Sequence, residues 1–176
     1  MDSIREIYNI GQGPSSSHTM GPRKAALSFL KKNPDALAYR VHLYGSLAAT
    51  GKGHLTDEAI LNVLSPVAPT EIVWCPEIYL PYHPNGMKFE TLDAAGNSLQ
   101  QWTVYSIGGG QLSEGDSTPM HHEEVYKMNT IKEIQQWCHE TGYSYWEYVE
   151  QAEGKDIWEF LSNIWRTMVA AVERGL

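Results

Sequence analysis

The sequence predicts an α+β fold: an α/β sandwich with a small, mainly antiparallel sheet and helices on one face, followed by a helical C-terminal extension. Three observations carry that reading. Short alternating runs flanked by glycine and proline cluster in the first 110 residues, where hairpins are the natural connection. Helix-like segments alternate with them, and clustered hairpins with helices packed on one side suit a sandwich rather than a doubly wound sheet. From residue 129 onward the apolar spacing changes to threes and fours.

In chain order, Asp2 to Tyr8 suits a short helix or a strand end. Thr19 to Lys32 is the first helix, with Gly21-Pro22 near its start and Asn33-Pro34 after its end. Tyr39 to Tyr44 is a strand, Val41 and Leu43 alternating with Arg40 and His42. Glycine-rich turns at Gly45, Gly51 and Gly53 then lead to a helix over Asp57 to Leu64, capped by Thr56 or Asp57. Ile72 to Leu80 is strand-like but interrupted by Pro76. Met87 to Leu92 pairs with Leu99 to Ile107 across the turn Asp93 to Asn97. Gln111 to Met128 is polar and reads as a flexible loop, and adjacent His121 and His122 within it do not have metal-ligand spacing. In the last part, Ile131, Ile134, Trp137 and Cys138 share one helical face that Gly142 ends. Ser144 to Glu147 is a capping box, and Gly154 closes that helix. Asp156 caps a final helix with Ile157, Leu161, Ile164, Trp165, Met168 and Val172 on its apolar side. The division expected is 1–128 as one domain and 129–176 as a helical linker.

Composition limits the function. The 176 residues are 42% hydrophobic and carry a net charge of −8, with an isoelectric point near 5.3. An acidic chain without a basic stripe does not suit nucleic acid or an anionic membrane. No apolar stretch approaches the roughly 18 residues that span a bilayer. No secretory h-region follows Met1, and the expected location is cytoplasmic. Cys75 and Cys138 stand far apart and read as buried, reduced thiols.

Two motifs carry chemistry. Gly13-Pro14-Ser15-Ser16-Ser17-His18-Thr19-Met20-Gly21-Pro22 places three hydroxyls and an imidazole at the mouth of a helix. Free amides at such a mouth attract a carboxylate or phosphate. His18 adds a group that changes charge near neutral pH. In the plainer reading one serine is a helix cap and the others fill a loop. The second motif, Tyr44 to His54, presents Lys52 and His54 from a glycine-framed turn. It is not a phosphate loop, because Gly51-Lys52-Gly53-His54 lacks the hydroxyl residue after the lysine.

With His83-Pro84-Asn85-Gly86-Met87 and Tyr105 to Gly110, these motifs resemble, in order and spacing, the β domain of the iron–sulfur-dependent L-serine dehydratases (L-serine ammonia-lyases). The resemblance implies an α/β sandwich akin to amino-acid-binding regulatory domains. It implies that Ser15, Ser16 and Ser17 contact L-serine, that His54 and His18 are catalytic, and that Lys52 assists in binding. It also implies a [4Fe-4S] cluster held by three cysteines of a catalytic α domain. Two cysteines cannot supply that set, so no metal is expected on this chain, which alone should be inactive. The expected partners are L-serine, the α domain or subunit, and further copies of the chain. A serine-binding regulatory module and a structural cap are the alternatives. His42 receives no role, and His83 is read as a turn residue.

Overall fold

A computed structural model of the chain describes residues 1–11, 13–115 and 124–176. Two compact units emerge, one formed by Gly11–His121 and the other by Met1–Ile10 with His122–Leu176.

The Gly11–His121 unit is built on one sheet of five strands, β1 (Ala38–Tyr44), β2 (Thr70–Cys75), β3 (Gly86–Leu92), β4 (Ser98–Gly108) and β5 (Gln111–Ser113). Their spatial order is β2-β1-β3-β4-β5. β1 and β2 run parallel, and the other three pairings are antiparallel. The parallel pair needs a crossover, which α2 (Gly45–Thr50), a 3-10 turn (Gly51–His54) and α3 (Thr56–Leu64) supply. The strand period of two sorts the faces. Tyr39, Val41, Leu43, Met87, Phe89 and Val104 point to one side, where they meet Ala25, Ala26 and Phe29 of α1 (Gly21–Lys32) and Ile60 and Leu64 of α3. Phe29 anchors this core, its ring 5.4 Å from Phe89 and stacked at 6.3 Å on Trp102. The opposite face is charged. His42 Nε2 lies 2.9 Å from Glu90, Lys88 lies 3.0 Å from the same carboxylate, and Arg40 pairs with Glu71. His42 is therefore a partner of Glu90.

Three local expectations are corrected. The stretch from Gly45 to Thr50 is a short helix rather than a glycine turn. Neither Thr56 nor Asp57 caps α3. Leu55 occupies the cap position in a left-handed conformation, φ +57°, the one non-glycine residue with positive φ among those described. The loop expected from Gln111 begins instead with β5, because Gly109 and Gly110, at φ +58° and +76°, form a two-residue turn of the I′ kind that folds the chain back onto β4. His121 and His122 lie outside the described residues.

In the other unit, α4 (Ile131–Thr141) and α5 (Tyr145–Glu153) each open on a capping box, and Gly142 in the left-handed region stops α4. α6 (Ile157–Gly175) starts at Asp156, whose carboxylate pairs with Arg5 rather than capping the helix. Glu153 accepts from the Ser3 hydroxyl, the Ile4 amide and the Tyr126 hydroxyl, fixing the first residues to α5. Cys75 and Cys138 are free and half-buried rather than fully enclosed. No helix among the described residues is long and apolar enough to cross a membrane.

Candidate active-site half

The segment before α1 is not a loop. Ser16–Met20 forms a π-helical turn, a wider winding often found at functional sites. Ser15 heads it, and its Oγ accepts from the His18 amide at 3.1 Å, so this serine is a cap as the plainer reading allowed. Ser16 is exposed, and Ser17 Oγ lies 2.9 Å from His18 Nδ1. The turn runs into α1 at Gly21, where any side chain would collide with β4: a Cβ there would lie 2.2 Å from Ser106 Oγ.

The π turn carries His18 toward the crossover between β1 and β2. The His18 and His54 rings have centroids 4.9 Å apart, tilted by 39°. His54 Nδ1 lies 3.0 Å from the Thr50 carbonyl. A carbonyl only accepts, so Nδ1 carries the proton and the neutral ring presents a bare Nε2. His18 differs. Ser17 and Ser46 hydroxyls face its two nitrogens, Ser46 Oγ being 3.2 Å from Nε2, and a hydroxyl serves as donor or acceptor. His18 can therefore change tautomer without losing a partner. Burial, and then the neighbouring His54, hold its imidazole below the ordinary histidine value.

Lys52 is exposed, and its ammonium sits over the Trp74 indole, 5.6 Å from the ring centroid. Sequence reasoning missed Ser46, Thr50, Thr19 and Thr56. Thr19 Oγ1 donates to the His54 carbonyl at 2.7 Å, and Thr56 Oγ1 donates to the His18 carbonyl. The available signal was proximity in sequence: all four stand within six residues of a chemically active histidine or inside its motif.

The four motifs close a ring. The first meets the second through the histidine pair. The second meets the third where the Ser46 amide donates to the Pro84 carbonyl at 3.0 Å. The third meets the fourth where Asn85 Nδ2 donates to the Ser106 carbonyl and the Ser106 amide donates to Asn85. The fourth returns to the first at the Ser106–Gly21 contact. His83 keeps to its turn, Nδ1 accepting from the Asn85 amide at 3.1 Å.

A cluster of hydroxyls and two imidazoles is chemically suited to a small polar substrate that must gain or lose a proton. The chain belongs to the serine dehydratase beta-chain family, whose model matches residues 3–72 and 64–117. Named relatives are L-serine dehydratases. That of Streptomyces coelicolor is 32% identical over 225 positions, covering 99% of this chain and 50% of the relative. L-serine dehydratase 1 of Escherichia coli is 30% identical, covering 100% of this chain and 49% of the relative. The Mycobacterium tuberculosis enzyme is 37% identical over 147 positions, 61% of this chain and 32% of the relative. The chain thus spans about half the length of these first two relatives. Their alignments extend over 225 positions against its 176 residues, so the relatives hold about fifty positions without a counterpart here. The two stretches of the family match overlap at 64–72, from the last residue of α3 through the connection into β2.

Proposed function

We propose that this chain is the β part of an L-serine ammonia-lyase, which converts L-serine to pyruvate and ammonia, and that it supplies the substrate-holding and proton-transferring half of the site. The observation that carries this reading is the closed ring of four motifs, in which two imidazoles 4.9 Å apart form the junction between the first and the second. Dehydration removes the α-proton and the β-hydroxyl of serine as water, and hydrolysis of the resulting enamine then releases ammonia. In this reading His54, with Nδ1 fixed on the Thr50 carbonyl, uses its bare Nε2 as the acid/base group. His18, tautomerically free, is the second proton carrier. Ser16, Ser17 and the opening amides of the π turn receive the carboxylate, while Ser15 holds the turn in shape. Lys52 contributes field rather than contact as long as it rests on Trp74.

The family resemblance also implies a [4Fe-4S] cluster. The donors here do not fit one: the chain has two cysteines, Cys75 in one unit and Cys138 in the other. Among the described residues no three His, Cys, Asp or Glu side chains gather as a metal site. The cluster belongs, in this proposal, to the portion of the family protein that this chain does not span, and the chain by itself has no turnover.

Thermal unfolding of the chain with L-serine tests the binding half of the proposal, since a ligand that prefers the folded state raises the midpoint. A rise with L-serine and none with L-alanine is expected. When the chain is assembled with the rest of the enzyme, His54→Ala should cut turnover by about 10²–10⁴. Near-normal turnover would remove His54 from the mechanism.

A further inference from the structure

Thr19 follows His18 directly, and Thr56 follows His54 by two positions, yet each threonine reaches across to the other loop. Thr19 Oγ1 donates to the His54 carbonyl, and Thr56 Oγ1 to the His18 carbonyl. Both are deeply buried, at 4% and 0% exposure. Elsewhere in this chain helical threonines do something ordinary. Thr50, Thr141 and Thr167 each donate to the carbonyl four residues back in their own helix. The crossed pair departs from that habit, and the departure carries a conformational cost. Leu55, between His54 and Thr56, is held at φ +57°, a region that non-glycine residues enter only when their surroundings impose it. The turn it makes brings Thr56 back toward His18.

We propose that Thr19 and Thr56 are positioning residues, a reciprocal clasp that sets the separation and tilt of the His18 and His54 rings. A bond to the carbonyl of a histidine fixes that residue's backbone. The ring is then fixed by its own second contact, Thr50 for His54 and Ser17 with Ser46 for His18. His54 is thereby held at its carbonyl and one ring nitrogen, His18 at its carbonyl and both ring nitrogens, and each loop supplies part of the other's support. The catalytic meaning of the clasp rests on the function proposed above, but its geometric content does not.

The test uses the intact chain and nuclear magnetic resonance of the imidazoles. Thr56→Val and Thr19→Val keep shape and remove the donor, while Thr56→Ser keeps the donor. In the unaltered chain, cross-relaxation links the two rings and His18 titrates below its ordinary value of about 6.5. Either valine variant should weaken the ring-to-ring signal and move the His18 titration upward, and Thr56→Ser should restore both. Folded valine variants with ring contact and titration unchanged would overturn the clasp. A second measurement does not depend on any variant folding: in the unaltered chain the Thr19 and Thr56 hydroxyl protons should exchange slowly with solvent, and fast exchange of either overturns the proposal. Parted rings together with an unchanged response to L-serine would support the clasp and remove the pair from the serine site, so the two failures are distinguishable.

Discussion

His18 shows how a single side chain links stability to pH in this molecule. Burial, then His54, lower its proton affinity in the folded state. The unfolded chain therefore takes up the proton first as pH falls. The stability associated with the neutral ring is complete above about 6.5 and is lost as pH drops from there through the lowered folded value. Denaturant unfolding across this range should show the decline, and His18→Gln should flatten it. Equal slopes for the two chains would contradict the assignment. The histidines themselves were legible, since an imidazole behind three hydroxyls and another in a glycine-framed turn are unusual. Their supports were not. Thr19 and Thr56 look like a helix residue and a cap, and only closure of one loop on the other reveals which carbonyls they reach.

Among the elements, the contact between the π turn, α1 and β4 is the least forgiving. Gly21 lies where a methyl group would fall 2.2 Å from Ser106 Oγ, and that hydroxyl is buried without a hydrogen-bond partner. Gly21→Ala should destabilise by about 1–3 kcal/mol through overpacking. Ser106→Ala alone should be neutral or stabilising, because it removes a polar atom that nothing satisfies. Ser106→Ala in the Gly21→Ala background should recover part of the loss, which unfolding midpoints of the four chains would show. The strands, the β3–β4 hairpin and the helices of the second unit were readable because alternation, turn residues and caps are local signals. The winding of Ser16–Met20 was not, since a π turn and an α turn share one sequence signature. β5 was missed because three residues carry too little pattern, although Gly109-Gly110 announced the turn before it.

For the whole molecule, the sheet class followed from clustered hairpins, while the parallel β1–β2 pair did not, because strand direction is set by the crossover. The unit containing α6 ends in a helix with two apolar sides. Ile157 and Ile164 are buried, whereas Trp165, Met168 and Val172 are exposed, Trp165 at 66%. With Trp158 and Leu161 these exposed residues follow the three-and-four spacing of a helix-pairing seam. The flanking Ser162, Val169 and Ala171 carry no charge to oppose a like helix. The isolated chain is expected to pair with a second copy through this seam, and Trp165→Asp should return it to a monomer in light scattering. A monomeric mass for the unaltered chain at all concentrations would count against the pairing.

The crossover from β1 to β2 has a kinetic consequence. β3, β4 and β5 join through short turns and can zip together from neighbours in sequence. β1 must wait for twenty-five intervening residues to loop back before it pairs with β2 (Gly45 to Pro69) and for forty-one before it pairs with β3 (Gly45 to Asn85), and a longer closure is slower to nucleate. His54 rides on that late segment. A chain caught midway through folding would have its hairpins formed and its imidazoles still apart, so the contact between the His18 and His54 rings should be among the last features a refolding population acquires.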